Sequence, residues 1–533
     1  MAWERYYIAF FVCDNSFFRT FELPLASFMQ NQAAHYRYTN LSRMQMNKIL
    51  TLLALTAISI FNALAVAPYQ KAVNNFVSDP MLKHASIGVC VMDLETGEIL
   101  ADADAEKTFV TASTMKIITS ASALEILGKD FHFHTMVYAV GKIDGEGTLH
   151  GNLIIQGGGD PTLGSRHFKE HPAFVDSLAV AINAAGIRHI NGRIIADKST
   201  IACSPVSQYW MLEDIPASYG TGYHAINFAD NQMKISFTRD FNGRYSVSTT
   251  PDMPWINIAA DVNEIDKGDT TSTLGITSFL DYPSSTLNLS GNTRLRRGQK
   301  GFHRWYANPA PDKLLIDSII SAMTEANIPI AYKNYKKSEL ADTTLILDFM
   351  SPALPDIVKS LMFRSDNLFA EAVLKAIAMD AEKAVTDYNS IKILNKYWNE
   401  KGVDLLGLLM KDGCGLARNG CATPLLLCEI LRDTYDDRDS LEVDFSELFP
   451  IAGKNGTVKN LLRKSKLRGH LALKSGSMEG VQSYAGYFPA DNPKYAVAVI
   501  VNNFPCKRAD LRKSIERMFF QLFANEVAKK GKK

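Results

Sequence analysis

At 533 residues the chain is longer than one hydrophobic core ordinarily holds, so more than one domain is expected. Its 47% hydrophobic and 21% charged residues describe an ordinary globular protein and exclude a disordered or fibrous one. Lys+Arg 57 stand against Asp+Glu 56, a balance that offers no footprint for nucleic acid or a strongly polyanionic partner.

The first informative segment is Met46-Asn47-Lys48, followed by the uncharged run Ile49 to Ala65 and by Val66-Ala67-Pro68. A positive start, an apolar run and small residues near its end read as a secretory signal peptide over residues 46–67. The run is shorter than the roughly 20 residues of a spanning helix, and an uncleaved anchor is the alternative reading. Residues 1–45 are aromatic-rich without a period and read as a misassigned upstream extension, with Met46 as the true initiator. The basic tail Lys529-Lys530-Gly531-Lys532-Lys533 allows at most peripheral contact with an anionic membrane surface. Seven cysteines contain no Cys-x-x-Cys pair, which argues against a zinc or thioredoxin-type site. Export would permit disulfides without requiring them.

Ser86–Leu94 reads as a strand, Glu95–Glu98 as a turn, and Ile99–Ala101 as the returning strand. A helix is expected from Ser113 to Gly128, poor in charge and therefore buried. Between about 135 and 345 short alternating runs such as 193–196 and 233–237 are punctuated by Gly, Pro, Asn and Asp, a β-rich texture with helices near 173–185 and 311–326. Helical periodicity returns in 354–363, 367–379 and 388–401. Three strand-like runs, His470–Lys474, Ser483–Phe488 and Tyr495–Asn502, precede a final helix over 509–527. The fold class is α/β (α+β): one domain from 68–134 and 346–533, interrupted by a β-rich insertion at 135–345. The first hairpin and the last strands are expected to share one antiparallel sheet.

Three short motifs carry chemistry. In Ser113-Thr114-Met115-Lys116 the lysine lies one helical turn from the serine, where a buried amine of lowered pKa can take the hydroxyl proton. Free N–H groups near the helix start would help hold an oxyanion. Ser365-Asp366-Asn367 sits between two helical runs, where a hydroxyl can relay a proton and an amide can bind a substrate carbonyl. Lys474-Ser475-Gly476-Ser477 closes an apolar run, with a cation and hydroxyls for a carboxylate and a glycine for close backbone approach. Singly, each is equally a helix cap or a strand-end turn. Together and in this order they match the motif set of penicillin-recognising serine enzymes, with Lys-Ser-Gly in place of Lys-Thr-Gly.

Ser365 follows Ser113 by 252 positions and Lys474 follows Ser365 by 109. With that long first gap the chain resembles the D-alanyl-D-alanine carboxypeptidase/endopeptidase family S13, the class C low-molecular-mass penicillin-binding proteins. Gly158–Leu163, Trp210–Asp214 with Tyr219, and Asp412–Asn419 resemble further segments of that family, although Cys414 and Ala417 replace two of its serines. The resemblance implies a penicillin-binding/β-lactamase-like transpeptidase domain and an acyl-enzyme on Ser113, with Lys116, Ser365, Asn367 and Lys474 as catalytic partners. It implies substrate binding by Ser475, Gly476, Ser477, Asp214, Tyr219 and Arg418, with Asp214 and Arg418 facing a diamino acid side chain. Glu479 stands where the family has a small residue, which points to altered selectivity near Arg418. The implied partners are peptidoglycan stem peptides and, as covalent inhibitors, β-lactams; no metal or organic cofactor is called for, and the implied location is the periplasm. A β-lactamase or esterase of the same superfamily and a non-catalytic cell-wall binding protein are the alternatives.

Overall fold

In the computed structural model, residues 68–201, 203–239, 245–264, 274–278, 286–293, 301–336, 340 and 342–530 are described, together with Lys48. The expected signal segment at 46–67 and the extension at 1–45 lie outside the described residues, Lys48 aside. The fold is mixed α/β. Its organising element is an antiparallel sheet that joins the early hairpin to the last strands. Strands β1 (Ser86–Asp93) and β2 (Ile99–Ala103) are followed, far along the chain, by β3 (Ala472–Met478), β4 (Val481–Phe488) and β5 (Tyr495–Asn502). Their order is β3-β4-β5-β1-β2, and the β1–β5 pair runs in register from Ser86 opposite Asn502 to Asp93 opposite Tyr495.

Side chains alternate across a strand, and β5 shows why this sheet is buried on both sides. Ala496, Ala498 and Ile500 face a helical layer made of α1 (Met115–Leu127), α2 (Leu354–Arg364), α3 (Asn367–Asp380), α4 (Asp387–Glu400) and α5 (Pro424–Asp436). Val497, Val499 and Val501 face the C-terminal helix α6 (Arg508–Lys530) through Leu511, Ile515, Phe519 and Phe523. Helix α1 runs through the centre of the helical layer with ten residues from Met115 to Leu124 buried. Two of its polar side chains tie it to distant parts of the layer: Thr119 Oγ1 donates to Gly413 O at 2.6 Å, and Ser122 Oγ accepts from Trp398 Nε1 at 2.8 Å. Gly128, at φ +79°, ends it.

The chain leaves this layer on the strand His134–Ile143 and returns on Thr343–Met350, and those two strands pair with each other. The intervening residues add the strands Thr148–Gln156, His189–Asn191 and Ile194–Asp197 to that pair, and place helices Phe174–Ala184 and Pro311–Glu325 against it. Two smaller three-stranded sheets lie between residues 232 and 307. The return strand 343–350 carries Thr-Thr-Leu-Ile-Leu-Asp with no turn signal before it, and sequence periodicity did not separate it from the helical region that follows. A second difference concerns the third motif. Lys474–Ser477 lies inside edge strand β3, which starts at Ala472 and continues to Met478, whereas the apolar pattern placed the motif at a strand end. The polar residues are in the strand because its edge faces the nucleophile.

Candidate active site

Ser113 sits in a short 3-10 turn, Ala112–Thr114, that runs directly into α1. The preceding Ala112 is held at φ +48°, a left-handed conformation that disfavours any residue with a side chain. Three contacts hold the turn there. Ser483 Oγ, on β4, donates to Thr111 O at 2.7 Å; Thr114 Oγ1 donates to the same carbonyl at 2.8 Å; and Gly415 packs so close that a Cβ would run into Ala112 O. Gly476 meets the turn from the strand side, where a Cβ would lie 2.6 Å from Thr111 O and 3.0 Å from Ser113 N. The glycine of the third motif therefore makes room for the nucleophile turn itself; substrate approach had been its expected purpose.

Lys116 is fully buried behind Ser113. Its Nζ donates to Ser113 Oγ at 3.0 Å, to Asn367 Oδ1 at 2.6 Å and to Cys414 O at 2.7 Å, which uses all three protons of an ammonium. Burial pulls its pKa below the ordinary lysine value, against the raising influence of Cys414, Asp412, Asp366 and Glu371. Lys474 is also fully buried, and its Nζ donates to Ser365 Oγ at 2.8 Å and to Ser475 O at 2.6 Å. Burial lowers its pKa well below the usual value, and the positive charge of Lys116 lowers it further. Two lysines share one site, and each is pushed toward the neutral amine.

The second motif joins two helices. Ser365 closes α2 in a left-handed conformation, φ 60°, and Asp366 caps α3 by accepting from Phe369 N at 3.2 Å. This corner aims Ser365 at Lys474, and the first residue of α3, Asn367, at Lys116. Asn367 Nδ2 also donates to the carbonyl of Tyr219, 2.8 Å away. Another bond to the same inserted segment runs from Trp210 Nε1 to Asp412 Oδ2 at 2.8 Å. Asp412 in turn accepts from Gly415 N and Ala417 N at 2.8 and 2.7 Å, and so shapes the loop that carries Arg418.

Ser113 opens into a cleft of about 490 Å³ that is also lined by Asp214, Tyr219, Ser365, Asn367, Arg418 and Ser477. Of the remaining expected residues, Lys116 and Lys474 lie immediately beneath it. Ser475 is turned to Thr457, with the two hydroxyls 2.7 Å apart, and Gly476 packs on the nucleophile turn. Tyr219 Oη donates to Asp214 Oδ1 at 2.9 Å, and burial, with that bond next, pushes the phenol up to about 12. Arg418 lies between two carboxylates, Glu213 at 3.4 Å and Glu479 at 3.5 Å. Glu213 was not singled out by sequence, nor were the carbonyls of Tyr219 and Cys414 or the hydroxyl of Thr457. Backbone acceptors leave no residue-type signal, and Glu213 looks like any surface glutamate beside Asp214. Among the described residues, Glu371, Asp412 and Cys414 are close enough to share an ion. Their acceptors are already engaged: Glu371 Oε1 takes Gly413 N and Cys414 N at 2.9 Å each, and Oε2 takes Lys375 Nζ at 3.0 Å.

Comparison with known proteins gives the family and the fold. A D-alanyl-D-alanine carboxypeptidase from an Actinomadura species is 26% identical over 452 residues, covering 81% of this chain and 80% of that protein. The D-alanyl-D-alanine carboxypeptidase DacB of Haemophilus influenzae is 24% identical over 431 residues, covering 79% and 86%. The crystal structure of penicillin binding protein 4 (dacB) from Haemophilus influenzae superposes with a TM-score of 0.71 at 22% identity, over 85% of this chain and 99% of that one, and shows the same fold. That protein has also been solved in complex with a β-lactam. Residues 69–524 match one peptidase family, and the chain belongs to it: the D-Ala-D-Ala carboxypeptidase 3 (S13) family.

Proposed function

We propose that the chain is an exported serine-type D-Ala-D-Ala carboxypeptidase/endopeptidase, acting on peptidoglycan stem peptides through an acyl-enzyme on Ser113. The carrying observation is the convergence of three distant segments on one serine: Lys116 Nζ is 3.0 Å from Ser113 Oγ, Asn367 holds that amine, and Lys474 pairs with Ser365 at 2.8 Å. Family membership and the carboxypeptidase relatives point to the same chemistry. In this reading the catalytic domain is built from residues 68–134 and 346–533 around the insertion 135–345, and the chain reaches the periplasm through the segment at 46–67. No described helix is long and apolar enough to cross a membrane.

The neutral amine of Lys116 takes the Ser113 proton as Oγ bonds to the carbonyl carbon of the penultimate D-alanine. The N–H groups of Ser113 and Ser477 stabilise the oxyanion. Collapse breaks the C–N bond, and the proton taken from Ser113 passes on by way of Ser365 and Lys474 to the departing amine, which leaves both lysines as they began, while Asn367 steadies the substrate amide. Lys474, Ser475 and Ser477 hold the terminal carboxylate, and water then releases the peptide from Ser113. Asp214 with Tyr219 and Arg418 receive the side chain of the third stem residue. If the leaving amine belongs to a neighbouring stem peptide, the same steps cut a cross-link. β-Lactams would trap Ser113 in the acylated state.

The test is incubation with a synthetic stem pentapeptide and with a cross-linked dimer, followed by mass analysis. Release of D-alanine or cleavage of the dimer, abolished in Ser113→Ala, is the expected result. Binding of either peptide without release would reject catalysis in favour of a wall-binding role.

A further inference from the structure

The catalytic cleft has a larger neighbour. A cavity of about 1100 Å³ is lined by Cys203, Ser204 and residues 206–209 of the inserted segment, by one face of α4, and by Met410 and Lys411. The same two stretches of chain line both clefts. Residues 206–209 lead into Glu213 and Asp214, and Met410-Lys411 lead into Gly415 and Arg418. Trp210 and Asp412, bonded to each other at 2.8 Å, lie along those two stretches between the residues that line one cleft and those that line the other. Glu213 is four positions on from Tyr209 and Gly415 four on from Lys411, so the two clefts are separated by at most about 14 Å along either path.

The lining mixes aromatic and amide side chains with the charged groups of Asp387, Lys392, Lys396, Glu400 and Lys411. Tyr388 is 73% exposed on α4, an aromatic face left open to solvent, and Tyr209 is 39% exposed with Lys411 over its ring. The same cavity is lined by the amides of Gln208, Asn395 and Asn399, and Asn395 Oδ1 is a buried acceptor with no hydrogen-bond partner. The carboxylates are largely spoken for: Asp387 pairs with Lys375 at 2.7 Å and Glu400 with Lys396 at 3.7 Å. Open aromatic faces stack on the C–H faces of sugar rings, and primary amides offer donor and acceptor to hydroxyl and acetamido groups.

We infer that this cavity is a saccharide subsite for the glycan strand from which the stem peptide hangs. A chain that spans both clefts presents its peptide to Ser113 while its sugars rest on Tyr388. This rests on the function proposed above only for the identity of the glycan. Saccharide binding itself is testable without turnover.

The experiment measures binding of an N-acetylglucosamine tetramer to the full chain by titration calorimetry, and compares kcat/KM for free pentapeptide with that for the same peptide on a short glycan. The tetramer should bind the parent protein, and Tyr388→Ala and Asn399→Ala should each weaken it about tenfold or more. The glycan-linked peptide should be the better substrate by about tenfold, an advantage that Tyr388→Ala removes while free-peptide turnover is unchanged. Absence of tetramer binding, or binding and substrate preference that survive both substitutions, overturns the inference. Tetramer binding lost in Tyr388→Ala, with no D-alanine released from any substrate, supports the subsite and rejects the proposed reaction.

Discussion

Replacing Gly476 by alanine isolates the contact that fixes the nucleophile. The added Cβ would lie 2.6 Å from Thr111 O and 3.0 Å from Ser113 N, against 3.4 Å or more for an ordinary contact. The nearest atom, Ser483 Oγ, can turn away only by giving up its bond to Thr111 O, and Thr111 O and Ser113 N are backbone and cannot rotate aside, so β3 and the nucleophile turn must separate by roughly 1 Å. A misplacement of that size costs on the order of 100-fold in rate, because the oxyanion donors and Ser113 Oγ no longer address the same carbonyl. Overpacking should cost about 1–3 kcal/mol of stability, which leaves the protein folded. The assay is the second-order rate of acylation by a fluorescent penicillin, with thermal unfolding measured in parallel. Gly476→Ala that melts near the parent and acylates about 100-fold more slowly is expected. Acylation within threefold of the parent would refute the argument that the strand sets the position of Ser113.

Three further outcomes are expected. Lys116 must be neutral to take a proton and burial lowers its pKa, so acylation should rise with pH and level off at an inflection below the ordinary lysine value of 10.5. Lys116→Arg, which stays charged, should lose about 100-fold or more; an inflection at the ordinary value or a rate that falls with pH would contradict this. Glu479→Gln removes one of the carboxylates beside Arg418, and both side chains are substantially exposed, so the effect is modest. Turnover of stem peptides whose third side chain bears a carboxylate should rise about 2–5-fold, with little change for amine-only side chains, measured as kcat/KM. Asp160 is buried with Oδ2 unpartnered, and desolvation raises its carboxyl to about 6. The folded state holds that proton more tightly, so the stabilisation is complete below about 4 and is lost as pH rises through 6. Asp160→Asn should therefore gain on the parent in melting temperature between pH 4 and pH 7, and a constant difference would contradict the assignment.

Much of this molecule is legible from residue patterns because its central elements are strongly patterned. The continuous apolar run of β5 and the charge-poor sequence of α1 both announce buried elements, and Ser113, Ser365 and Lys474 stand out because their motifs are short and local. What pattern could not give lies in contacts between distant backbones. Nothing in the letters Ser-Gly-Ser says that Gly476 must clear Thr111 O, or that Ala112 takes a left-handed conformation. Arg418 was legible as a cation near the site, whereas its position between Glu213 and Glu479 depends on three loops far apart in sequence. The cavity beside α4 left no motif, since it is made by packing the inserted segment against a helix whose own periodicity describes only its buried face.

The central claim, that Ser113 is the acylated nucleophile, is tested most directly by the intact mass of the full chain after incubation with benzylpenicillin. The expected result is a rise by the mass of one penicillin, mapped by peptide digestion to the segment holding Ser113 and absent from Ser113→Ala. No adduct on the parent protein, or an equal adduct on Ser113→Ala, would contradict it.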